Sequence, residues 1–213
     1  MSKLILFQGD SITDGNRVKT NEWDLNHQMG HGYQFIINAK LGCEYPEKDY
    51  KFINRGISGN RISDLYGRWQ EDAVRYSPDI LSILVGVNDI HFYLENGSGS
   101  LADRYEKIYQ LLIDEVKDNK ADTEIVICEP FALSVKGKED YVDKLMEHLV
   151  PIQEKAKLIA ERNNAIFVPL QQKFNEFGAK YGNEYWIWDG IHPTVCGHQL
   201  IANEWLKCCD KLL

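Results

Sequence analysis

Five short apolar, largely β-branched runs alternate with amphipathic stretches along the whole chain, and this alternation constrains the fold more than any other feature. The runs occupy residues 4–7, 51–54, 80–85, 124–128 and 165–170. Their short length and apolar character suit strands buried on both faces. Helical periodicity fills the gaps. From Tyr105 the apolar positions Ile108, Leu112 and Val116 recur at three- and four-residue steps. A second pattern runs from Ser63 through Leu65, Trp69 and Val74. A third spans residues 141–162, where Pro151 must kink or restart the helix. A last one follows Thr194, a good N-cap, and reaches Leu212. Strands alternating with helices predict an α/β fold, a parallel sheet covered on both faces with right-handed crossovers. With 213 residues and no linker rich in Gly, Pro or Ser, one domain over residues 1–213 is expected.

In an open parallel sheet, ligands bind beyond the carboxyl ends of the strands. Two irregular segments, residues 14–32 and 95–100, fall after the first and third strands, where a site belongs. Gly9-Asp10-Ser11-Ile12-Thr13 follows the first strand directly. Such a turn can hold a serine exposed, although Ser11 or Thr13 would serve equally as a plain helix cap. It is not a Gly-x-Ser-x-Gly elbow, because residue 13 is Thr. Near the other end, Asp189-Gly190-Ile191-His192-Pro193 sets a carboxylate and an imidazole three residues apart. Alone, that pair reads as well as a surface ion pair. With Ser11 it supplies what a weak hydroxyl nucleophile needs, a base and an acid that fixes the base's tautomer. Gly59 follows the second strand and Asn88 the third, and a backbone N–H and a neutral amide are the donors an oxyanion hole requires.

Taken together, these blocks resemble the SGNH hydrolases, also called the GDSL esterases: residues 9–12, 54–59, 86–89 and 189–192, in order and across essentially the whole chain. Ile12 stands where the older motif name has Leu, a volume-conserving change. The resemblance implies a three-layer, flavodoxin-like α/β/α sandwich around a five-stranded parallel sheet. It implies a serine esterase with Ser11, Asp189 and His192 catalytic, an oxyanion hole of Ser11, Gly59 and Asn88, and no cofactor.

Within the family, residues 9–15, 54–65 and 188–198 look particularly like the intracellular acetylxylan-esterase branch. Tyr185, Trp186 and Trp188 crowd the approach to Asp189, and flat rings suit the C–H face of a sugar. The segment 21–31 is polar, which disfavours a long acyl chain. Asp10, His91, Trp186 and Trp188 are therefore expected to touch an acetylated carbohydrate. A lysophospholipase or thioesterase of the same family is the alternative. A carbohydrate-binding domain without catalysis and a flavodoxin-like nucleotide or flavin binder are the readings from other classes.

The net charge of −8 argues against nucleic acid or an anionic membrane as partner. Five scattered cysteines without a Cys-x-x-Cys pair suit a reducing compartment, so a cytoplasmic location is expected. His27 and His31 lack a clear third ligand, so no metal is expected. His148 and His198 read as helix positions. Exposed aromatics such as Tyr66, Trp69 or Trp205 could serve a homo-oligomer interface, although each suits core packing as well.

Overall fold

The computed structural model describes residues 2–20 and 25–213. Its sheet has five parallel strands: β1 (Leu4–Gly9), β2 (Lys51–Asn54), β3 (Ile80–Leu84), β4 (Glu124–Cys128) and β5 (Ile166–Val168). They lie in the order β2-β1-β3-β4-β5, the flavodoxin-like order, whose switch point falls beside β1. In register, Leu6 sits between Ile53 and Leu81, and Ile83 faces Ile127. Ile5, Leu6, Phe7 and every residue of β3 are buried, as strands covered on both faces must be.

The helices are α1 (Ser11–Asp14), α2 (Leu25–Met29), α3 (Tyr33–Glu44), α4 (Ile62–Gly67), α5 (Trp69–Asp72), α6 (Val87–Asn96), α7 (Ala102–Asn119), α8 (Glu139–Arg162), α9 (Gln171–Tyr181) and α10 (Val195–Cys209). On one side of the sheet α3 packs on α10, and on the other α7 packs between α4 and α8. No helix among the described residues is long and apolar enough to cross a membrane.

Three expectations about helices change. The pattern from Ser63 to Val74 is not one helix but α4, α5 and a 3₁₀ turn at Val74–Tyr76. The break falls at Arg68, whose guanidinium is drawn inward to Asn60 Oδ1, the Arg55 carbonyl and Asp72. Those bonds outweigh helical continuity at one exposed turn. Pro151 does not restart its helix, since α8 runs through it as one element. The carbonyl it orphans belongs to exposed Glu147, where water can satisfy it. Thr194 does cap α10, its Oγ1 accepting the Gly197 N–H at 3.2 Å, but the helix gives way to a 3₁₀ turn at Asp210. Finally, Trp69 and Trp205 are fully buried and offer nothing to an interface; Tyr66 is exposed.

Candidate active site

The site is assembled where strands end. β1 delivers the chain into α1 through Gly9, where a Cβ would lie 2.3 Å from the Leu84 carbonyl oxygen, so only glycine lets β1 and β3 run this close. Asp10 caps α1, its Oδ1 accepting the Ile12 N–H at 3.0 Å, which leaves Ser11 as the first helical residue. The Ser11 N–H therefore has no acceptor within the helix.

Ser11 Oγ lies 2.8 Å from His192 Nε2, and His192 Nδ1 lies 2.7 Å from Asp189 Oδ2. The other carboxylate oxygen of Asp189 accepts the backbone N–H groups of His192 at 2.7 Å and Ile191 at 3.0 Å. Both oxygens are thus committed, and the Asp-x-x-His loop is folded around its own carboxylate. Burial alone would raise the Asp189 carboxyl, but these three hydrogen bonds hold it below the usual carboxylate range. The hydrogen bond to Asp189 raises the His192 imidazole above its ordinary value of 6.5, against the opposing effect of burial.

Backbone accounting singles out Gly59. In the loop after β2, Gly56 N–H donates to Asn54 Oδ1, Ile57 N–H to the Gly9 carbonyl, and Ser58 N–H to Asp14 Oδ2. Asn60 N–H donates to the Ile57 carbonyl, Arg61 N–H to Asp64 Oδ2, and Ile62 N–H to Asp89 Oδ2. Among these seven N–H groups only that of Gly59 has no partner among the described residues. Its φ of +80° is one that L side chains rarely adopt, which accounts for glycine there. Asn88 stands in the first turn of α6 and gives one amide hydrogen to the Asn60 carbonyl at 3.2 Å, which keeps the other available beside the Gly59 loop. A nucleophile on a base, and three spare donors on the surrounding segments, is the equipment for acyl transfer.

The remaining expected contacts divide. Trp188 is 63% exposed and stacks on the His192 ring at 5.6 Å between centroids, 22° from parallel. Trp186 is 9% exposed, packed edge-on against Phe177 and Tyr185, with its indole N–H on the Phe177 carbonyl. Its expected role as a substrate contact is therefore corrected to core packing. Asp10 is likewise corrected: it is 1% exposed and serves as a cap, and burial raises its carboxyl to about 7. His91, one turn after Asn88, sits with Nδ1 2.8 Å from Tyr141 Oη. Tyr141 went unnoticed in the sequence. Burial, then the charges of Asp189 and Glu95, raise its phenol to about 12. His198 is structural, its Nδ1 accepting the Tyr33 N–H at 3.2 Å, and burial lowers it to about 4.

Residues 21–24 of the polar 21–31 segment lie outside the described residues. A cavity of about 410 Å³ lined by Arg17, Lys51, Phe52 and Tyr76 runs beside β2 and includes none of Ser11, Asp189 and His192. Among the described residues no three His, Cys, Asp or Glu side chains group as metal ligands.

Residues 7–200 match the model of the GDSL-like lipase/acylhydrolase family. The chain belongs to that family and is a carboxylic-ester hydrolase. An acetylxylan esterase from Geobacillus stearothermophilus is 33% identical over 95% of this chain and 92% of its own length. The solved structure of Axe2, an acetylxylan esterase from the same organism, superposes with a TM-score of 0.85 at 32% identity, covering 97% of this chain and 93% of that one. A Parabacteroides merdae chain described as a GDSL-like lipase gives a TM-score of 0.92 at 36% identity, covering 99% and 97%. The five-stranded α/β architecture is that of this family's structures.

Replacing Asn88 with Ala should lower kcat for 4-nitrophenyl acetate roughly 10²–10³-fold, the usual cost of one oxyanion donor. Steady-state kinetics on the purified variant check this, and a loss under threefold removes Asn88 from the hole.

Proposed function

We propose that this esterase removes acetyl groups from acetylated carbohydrates such as xylo-oligosaccharides through an acyl-enzyme on Ser11. His192 Nε2 takes the hydroxyl proton as Ser11 Oγ attacks the ester carbonyl, and Asp189 fixes the imidazole tautomer that makes this possible. The N–H groups of Ser11 and Gly59 and the Asn88 amide receive the developing oxyanion. His192 then gives its proton to the departing sugar oxygen, which leaves as the hydroxyl, and a water molecule repeats the sequence to release acetate.

The observation that carries the carbohydrate reading is Trp188. Its exposed ring lies beside the His192 imidazole, so a sugar resting on its open surface would be held next to the Ser11–His192 pair. The likeness to acetylxylan esterases supports it, and five unpaired thiols suit a cytoplasmic, reducing location.

Acetate release from acetylated xylo-oligosaccharides, measured beside octanoyl and palmitoyl esters, tests the reading. We expect kcat/KM to fall steeply with acyl length, and preference for the long chains overturns it. Trp188→Ala should raise KM for the oligosaccharide roughly 3- to 10-fold, as loss of one stacking contact would.

A further inference from the structure

Two buried carboxylates outside the triad join the three segments that carry the oxyanion donors. Asp14 closes α1, three residues after Ser11, and its Oδ2 accepts both the N–H of Ser58 at 2.9 Å and its hydroxyl at 3.0 Å. Its Oδ1 accepts the Arg17 N–H at 3.1 Å. Asp89 follows Asn88 in α6, is fully buried, and accepts the Ile62 N–H through Oδ2 at 2.9 Å. The Ser58–Ile62 turn is therefore gripped at one end from the helix of the nucleophile and at the other from the helix of the amide donor. Gly59 lies between the grips. Its neighbours' N–H groups both point to other acceptors, Ser58 to Asp14 and Asn60 to Ile57, so the direction of the Gly59 N–H is set by bonds on either side of it.

We propose that Asp14 and Asp89 are positioning residues that hold the Gly59 N–H in register with Ser11 and with the Asn88 amide. The inference rests on Ser11, Gly59 and Asn88 forming the acyl-transfer site. Neither carboxylate touches substrate; each fixes a donor whose value depends on being preorganised before charge develops. A displacement of about 1 Å in such a group costs on the order of 100-fold in rate. A ground-state ester gains little from these donors, so the loss falls on kcat rather than KM.

The test is steady-state kinetics of Asp14→Ala, Asp89→Ala and Asp89→Asn on 4-nitrophenyl acetate, alone and combined with Asn88→Ala. We expect each alanine variant to lose roughly 10- to 100-fold in kcat with KM within about twofold. Asp89→Asn keeps an oxygen for the Ile62 N–H and should recover most of the loss. The cost of Asn88→Ala should shrink in the Asp89→Ala background, because one hole is being dismantled twice. Should an alanine variant fail to fold, Ser58→Ala deletes only the hydroxyl bond to Asp14 and should still lower kcat several-fold. Unchanged kcat, a loss shared equally by KM, or an undiminished Asn88 cost overturns the clamp. Ser11→Ala separates the two levels: full activity there sinks the acyl-enzyme reading, whereas an inactive Ser11→Ala beside unaltered Asp variants sinks only the clamp.

Discussion

Ser11→Ala is expected to lower kcat on the order of 10⁶-fold, the loss of a catalytic serine whose base and acid act with it as a unit. That corresponds to about 8 kcal/mol of transition-state stabilisation. The size follows from how the other groups are built. His192 Nε2 sits 2.8 Å from the hydroxyl, and without Oγ no acyl-enzyme forms for water to resolve, so the substitution idles both His192 and Asp189. The three donor groups survive the substitution, because the Ser11 N–H is a backbone group and Gly59 and Asn88 stand on other segments. A residual rate above water is accordingly expected from the hole alone. Labelling by a fluorophosphonate probe should disappear with the hydroxyl. Full turnover by the Ala protein would falsify the assignment.

The second large effect is Asp189→Asn, for which a fall of about 10⁴ in kcat is expected. An asparagine keeps an oxygen for the backbone N–H groups of Ile191 and His192, so the loop should hold its shape. It places an NH₂ group where Oδ2 now faces Nδ1 at 2.7 Å. The imidazole then keeps its proton on Nε2, facing Ser11, and cannot accept another there. The pH profile carries a second signature. Turnover needs neutral His192, and the bond to Asp189 raises the imidazole above 6.5. The acid limb of kcat/KM should therefore lie above pH 6.5 in the parent enzyme, with activity lost as pH falls through it. Removing the carboxylate should move that limb downward while the plateau collapses. A variant with unchanged plateau and unchanged limb would strip Asp189 of its role.

Much of the fold was legible because β1 and β3 are buried on both faces and show it as short, predominantly apolar runs. The proposed triad was legible for a different reason: Ser11, Asp189 and His192, which the structure brings into hydrogen-bond contact, sit in turns whose polar content no core accounts for. Arg68 was not legible, since a basic residue in an amphipathic pattern gives no sign that its guanidinium will turn inward to Asn60 and break the helix. Trp186 and Trp188 are two apart and equally aromatic, and no period in the sequence tells that one packs against Phe177 and the other lies on the His192 ring. Asp14 follows one motif and Asp89 ends another, and both read as ordinary polar turn residues. Their partners, Ser58 and Ile62, lie 44 and 27 positions away, a distance no periodicity reports.

The bond between Ser11 and His192 spans 181 positions. A contact of such sequence separation is entropically costly to close early and tends to form late. The chain can thus collapse, pair its strands and bury most of its core while remaining chemically inert. On the proposed mechanism, a fragment ending short of residue 192 lacks the base for Ser11 and is expected not to turn over esters through it. Reactivity of Ser11 toward a covalent probe consequently reports completion of folding, residue 11 to residue 192, in a single readout.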